Sequence, residues 1–208
     1  MRGTMVQFST SQPVRRVEDS RFVTGNGTYT DDMNLEGQTY GYMLRSPMAH
    51  ATIASIDCAR ARSIDGVIGI ITAKDLEAEG VNSIPCLLPA ENRDGSQAPM
   101  PKRPVLCSDR VRHVGDNLAF IIAENLSVAK DAAELIEVDY NALDAIADTS
   151  GALEDSAPII HPDAPHNLAF DWGHGEESST NQAFDEAVHI VSLELINNKL
   201  IVNSMEPR

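Results

Sequence analysis

The sequence predicts an α+β or mixed α/β domain in which helices cover one side of a sheet. Two observations carry this. Leu118-Ala119-Phe120-Ile121-Ile122-Ala123 is a continuous apolar run of strand length, and it leads to Ala129, Ala132, Ala133 and Ile136 at the i, i+3, i+4, i+7 spacing of one helix face. Ile136, Val138 and Tyr140 then alternate with Glu137 and Asp139, the pattern of a half-exposed strand. Strand, helix and strand thus follow one another within residues 118–140, and the alanine face lets the helix lie close to the sheet.

The other elements can be placed in order. Residues 1–21 read as a flexible N-terminus, and Gly25-Asn26-Gly27 with Asp31-Asp32 supplies turn formers before the first strand. Tyr40, Tyr42 and Leu44 alternate with smaller or polar neighbours, and Ile53-Ala54-Ser55-Ile56 follows the Ser46-Pro47 turn as a second strand. Val67-Ile68-Gly69-Ile70-Ile71 is a third. It runs into Thr72-Ala73-Lys74-Asp75-Leu76, where Thr72 can cap a short helix and Asp75 can reach back, as in a capping box. From Gly80 to Ser108, five prolines block helix continuation and central-strand pairing, which predicts a long loop that touches a partner or neighbouring domain. Ser127 is the predicted cap of the alanine-faced helix.

Residues 141–180 contain Pro158, Pro162, Pro165 and a Gly173-His174-Gly175 turn, as expected of a connector. A short helix is predicted around Gln182–Ala187. Val191, Leu193 and Leu195 then alternate with Ser192 and Glu194, and the pattern resumes at Leu200–Val202. This last strand pair lacks visible partners in the remaining sequence, so the ending at Met205-Glu206-Pro207-Arg208 is expected to be an interruption.

Composition bounds the function. The 208 residues carry 16 basic and 31 acidic side chains, a formal net charge of -15, which repels phosphate backbones and anionic head groups. Nucleic acid and membrane surfaces are therefore not expected as partners. Apolar residues at 42% support a globular core. Cys58, Cys86 and Cys107 are odd in number and contain no CxxC pair, and neither an apolar leader nor a membrane-length apolar run is present, so a reduced, cytoplasmic protein is expected.

Candidate sites are few. Gly25-Asn26-Gly27 has Thr30 where a nucleotide-binding loop needs its third glycine, and reads as a turn. Asp32, Asn34, Glu36 and Gly37 imitate a calcium loop, but Met43 stands at its twelfth position, where a bidentate carboxylate is needed. His161 and His166 bracket Asp163 without a further ligand at zinc spacing. His50 and His113 lie beside strand ends as packed or hydrogen-bonded histidines, each a general base only if a substrate is placed beside it. Cys107 is a nucleophile candidate that would need an activating base. G-x-S-x-G, P-loop and H-E-x-x-H motifs are absent. The residues alone define a soluble acidic domain with no self-contained catalytic, cofactor-binding or metal site.

A resemblance adds to this reading. Arg16-Val17-Glu18-Asp19 and Phe22-Val23-Thr24-Gly25-Asn26-Gly27-Thr28-Tyr29-Thr30-Asp31-Asp32 closely resemble the opening of molybdenum hydroxylase large subunits, the family of xanthine dehydrogenase, aldehyde oxidase and carbon monoxide dehydrogenase. Further similar segments follow in order: Arg45-Ser46-Pro47-Met48-Ala49-His50-Ala51, Gly66-Val67 with Thr72–Leu76, Arg112-His113-Val114-Gly115-Asp116, Ala132–Tyr140 and Asn203–Arg208.

The resemblance implies an α+β fold: an α/β hammerhead domain at 22–145 with a mixed sheet and helices on one side, a connector at 146–165, and the start of a molybdopterin-binding domain at 166–208. It implies an N-terminal fragment of a large subunit, structural and interfacial in role and inactive alone. The intact complex would carry molybdopterin cytosine dinucleotide, [2Fe-2S] and FAD, with the remainder of the large subunit, an iron-sulfur subunit and a flavin subunit as partners. No residue matches the family's cofactor-holding loops or its late catalytic glutamate, so no catalytic or cofactor position is carried over. The alternative is a stand-alone structural or binding module, or a naturally split subunit, without catalysis.

Overall fold

The computed structural model describes residues 16–87 and 90–197. The chain divides into two compact units, Met1–Gln38 with Leu193–Arg208, and Thr39–Ser192. In the first unit, α1 spans Asp19–Val23, beginning inside the segment expected to be flexible, and a single 3-10 turn follows at Thr30–Asp32.

The second unit holds the sheets. Its elements are β1 (Tyr40–Arg45), β2 (Ala51–Asp57), α2 (Ala59–Arg62), β3 (Val67–Thr72), α3 (Ala73–Ala78), β4 (Arg110–Val111), β5 (Asn117–Ala123), α4 (Leu126–Glu134), β6 (Glu137–Ala142) and α5 (Glu177–Asp185). The expected α+β class is present, but the single mixed sheet is not. Two three-stranded sheets form, ordered β1-β5-β3 and β4-β2-β6, and every strand pairing among the described residues is antiparallel. The physical reason lies at Ser46–His50. The chain turns there and carries β2 away from β1, leaving β1 to pair with β5 instead.

Each face of β5 serves a different core. Ala119, Ile121 and Ala123 pack with Ala129, Ala132 and Ala133 of α4, whereas Leu118 packs with Ala51, Cys107 and Val111. Leu44 and Val138 touch both clusters. The alanines of α4 are fully or almost fully buried, so the helix approaches β1, β5 and β3 with little side-chain bulk between.

Thr72 and Asp75 form the predicted capping box, with the Thr72 amide and hydroxyl both donating to Asp75 Oδ2 at 2.7 Å. The cap of α4 is Asn125, not Ser127: Asn125 is extended at φ -150° and its Oδ1 accepts from Val128 N at 2.9 Å, which places Ser127 inside the helix. α5 begins at Glu177, five residues before the expected start, and ends at Asp185. The strand predicted at Val191–Leu195 does not form: these residues pair with no strand among those described, and Val191, Leu193 and Leu195 are exposed. Alternation marks strand-compatible side chains, but a strand also needs a partner for its backbone. The continuation predicted at Leu200–Val202 lies outside the described residues.

Candidate functional site

Two of the sequence segments singled out above meet at one corner. Ser46 N donates to the Asp116 carbonyl at 2.8 Å and Gly115 N donates to the Ser46 carbonyl at 2.8 Å. Arg45 Nη1 donates to the Gly115 carbonyl at 3.0 Å and to Asn117 Oδ1 at 2.8 Å. Gly115, at φ +97°, occupies the left-handed region that lets the turn close. Within the turn, Asp116 Oδ2 accepts from Arg112 N at 2.6 Å, and Asp116 Oδ1 lies 3.0 Å from His113 Nε2.

This corner forms one wall of a cleft of about 730 Å³. The long loop contributes Ile84, Lys102 and Arg103, and the segment after β6 contributes Asp148, His161 and Asn167. Asn167 fixes this second wall: its Nδ2 donates to the Ala152 and Pro158 carbonyls, both at 3.0 Å, and its Oδ1 accepts from Ile160 N at 2.9 Å. The loop is pinned as well. Arg93 and Asp171 form an ion pair at 3.0 Å, backed by an Arg93 N to Asp171 carbonyl bond of 2.9 Å.

The histidine candidates do not converge. His161 lines the cleft, and its ring is held below the ordinary 6.5, first by burial and then by the Arg112 charge. His166 is exposed at φ +55° and is not part of the cleft wall. His50 is buried and sits 2.6 Å from the Asp144 carbonyl. Because a carbonyl only accepts, Nδ1 carries the proton, and the role of His50 is to tie β2 to the residues after β6. His113 is spent on Asp116.

Cys107 is buried, and its thiol is pushed up to about 11, first by burial and then by Asp116, which keeps it protonated and unreactive. Asp32 accepts from Tyr29 N at 2.9 Å within the 3-10 turn, and Gly25 adopts φ +74° where α1 ends. Among the described residues no group of three or more His, Cys, Asp or Glu side chains could hold a metal ion. Nor is any described helix long and apolar enough to cross a membrane.

Sequence reading passed over Arg45, Arg112 and Asn167 as site residues. Asn167 carried one available signal, since asparagine is among the residues that tolerate its φ of +55°.

Two antiparallel sheets sharing core residues, with the alanine-faced α4 on one of them and a cleft between the long loop and the segment after β6, define an α+β module. Residues 24–144, more than half of the chain, match the family described as aldehyde oxidase and xanthine dehydrogenase, a/b hammerhead domain. The chain belongs to that family.

The carbon monoxide dehydrogenase large chain of Afipia carboxidovorans is 35% identical over 185 residues, covering 83% of this chain and 22% of that one. The xanthine dehydrogenase molybdenum-binding subunit of Escherichia coli O157:H7 is 36% identical over 147 residues, covering 69% of this chain and 19% of that one. The structure of reconstituted CO dehydrogenase from Oligotropha carboxidovorans superposes with a TM-score of 0.71 at 34% identity, covering 85% of this chain and 22% of that one. The chain thus spans about a fifth of the length of the relatives it matches.

Proposed function

We propose that this chain is the hammerhead portion of the large subunit of a molybdenum-dependent hydroxylase, with a structural and interfacial role and no catalysis of its own. The observation that carries the reading is the family match over residues 24–144, joined to relatives whose names specify carbon monoxide dehydrogenase and a molybdenum-binding xanthine dehydrogenase subunit. On this reading 22–145 is the hammerhead domain, 146–165 a connector and 166–208 the entry to a molybdopterin-binding domain.

The intact complex would hold molybdopterin cytosine dinucleotide, [2Fe-2S] and FAD, and would hydroxylate a small substrate with oxygen from water in the cytoplasm. Among the described residues no group of three metal-ligating side chains is present, and the Cys107 thiol is held protonated. No reaction step is therefore assigned to them. Their part is to present surface, and the exposed apolar side chains Val188, Val191, Leu193 and Leu195 are the kind of segment that a neighbouring sheet would cover.

Co-expression with the remainder of a large subunit and with iron-sulfur and flavin subunits tests this. A stable complex purified through a tag on this chain is expected. A chain that stays monomeric in the presence of all three, encoded by a gene with no molybdenum domains downstream or nearby, would instead identify a stand-alone module.

A further inference from the structure

The cleft beside Arg112 carries a charge pattern that the proposed scaffold role leaves unexplained. In a chain of net charge -15, its lining includes four permanent cations, Arg45, Lys102, Arg103 and Arg112, against the carboxylates of Asp116 and Asp148. Both carboxylates are already engaged. Asp116 accepts from two backbone amides and faces His113, while Asp148 accepts from Ser150 Oγ at 2.6 Å and Gly151 N at 2.8 Å.

Among the described residues, none of the four cations forms an ion pair with a carboxylate. Arg45 spends its guanidinium on neutral acceptors, and Arg112 reaches only the Arg110 carbonyl, at 3.5 Å. Arg112 Nε is fully buried and has no hydrogen-bond partner among the described residues. The rest of the lining mixes polar side chains, Asn117, Thr149 and Asn167 among them, with apolar ones that include Ile84, Ile146 and Ile160. A volume of about 730 Å³ lies within the range of small-molecule sites, which are mostly apolar with a few fixed polar groups.

We propose that this cleft is a binding site for a small organic oxyanion, its phosphate or carboxylate head paired with Arg112 and the neighbouring cations and its apolar body against the isoleucines. The inference rests on the cleft alone and does not depend on the large-subunit assignment.

The test is titration of the purified full chain with phenyl phosphate, benzoate, inorganic phosphate and benzyl alcohol, followed by amide chemical shifts and calorimetry. Phenyl phosphate or benzoate is expected to bind at one site and to shift Asn117, His161 and Ala164. The tighter of the two identifies the head group. Inorganic phosphate and benzyl alcohol, each lacking one half of the ligand, are expected to bind more weakly. Arg112→Gln should weaken binding roughly 10-fold or more, because a charge-assisted bond is lost. The double variant Lys102→Gln/Arg103→Gln alters only side chains at the rim, and it decides the matter if Arg112→Gln does not fold. Absence of cleft shifts with both organic anions, or unchanged affinity in a folded variant, overturns the proposal.

Discussion

The ring of Phe120 lies over Gly41. A Cβ built on Gly41 would stand far inside van der Waals contact with Phe120 Cζ. Gly41 pairs directly with Ile122 and Met43 with Phe120, so Phe120 is the diagonal neighbour of Gly41 on the same face of the sheet. The ring covers strand backbone that a side chain would otherwise shield.

Gly41→Ala should therefore destabilise the chain by about 1–3 kcal/mol, the cost of overpacking, as the ring is driven off the strand. Phe120→Leu should lose packing by itself yet make Gly41→Ala nearly neutral. Urea unfolding of the two single variants and the double variant measures this coupling. Additive effects would show that the ring moves aside freely.

The capping box makes a second expectation. Thr72→Ala removes the side chain that caps α3 and one of the two bonds received by Asp75, and should cost about 1 kcal/mol. The Asp75 carboxyl is held below its ordinary 3.8, first by its side-chain bond to Thr72. Its stabilisation is therefore complete above pH 3.8 and is lost as pH falls through the lower folded value. Acid unfolding of Asp75→Asn should show a shallower loss in that window than the parent chain.

The cap and the cores differ in how openly the sequence declares them. Thr72 and Asp75 are three residues apart, and the alanines of α4 repeat at helical spacing, so one local segment contains each signal. The division into two sheets depends on β1 meeting β5 across more than seventy residues, and Ser46–His50 contains nothing that names the partner of either flanking strand. The same limit hid the cleft: Arg45, Arg103, Arg112 and Asn167 come from four separate segments, held by the closed turn at Gly115, the Ile84–Arg103 backbone bridge and the clamp at Asn167. Val191–Leu195 shows the converse error, a clear alternation without a paired backbone.

Thiol reactivity separates the cysteines. Cys86 is exposed, whereas Cys58 and Cys107 are buried, and burial foremost pushes both of their thiols up, that of Cys107 to about 11. Iodoacetamide at neutral pH should modify Cys86 in the native chain and reach the other two only in denaturant, as peptide mass spectrometry would record. Rapid native labelling of Cys107 would contradict the core assigned to Leu118 and Val111.

His161 sets a pH dependence of opposite chemistry and the same direction as Asp75. Its folded value lies below 6.5, so as pH falls below 6.5 the unfolded chain takes up the proton first and stability declines until the folded ring is protonated too. Above pH 6.5 both forms are neutral and the contribution is flat. His161→Gln should remove this part of the acid loss, so the stability difference between pH 7.5 and pH 5.5 in urea titrations should be smaller in the variant. Equal differences would mean that Arg112 and burial do not act on the folded ring.

Asn167 offers the sharpest test of how the connector is held. Its side chain makes three hydrogen bonds, to Ala152, Pro158 and Ile160, while its own backbone and that of His166 both lie at φ +55°. Two effects are therefore superposed, a left-handed backbone that asparagine tolerates and a clamp that only a carboxamide can make. Asn167→Gly relieves the first and abolishes the second, whereas Asn167→Ala loses both. With each bond worth about 0.5–1.5 kcal/mol and the left-handed backbone adding about 1 kcal/mol against alanine, both variants should be destabilised, alanine more. If the clamp dominates, both variants lose most of that stability, alanine by about 1 kcal/mol more, and limited proteolysis between residues 146 and 169 accelerates in both. If the backbone dominates, Asn167→Gly stays close to the parent in stability and protease resistance. The three bonds converging on one carboxamide favour the first outcome, and with it a cleft wall whose position depends on that side chain.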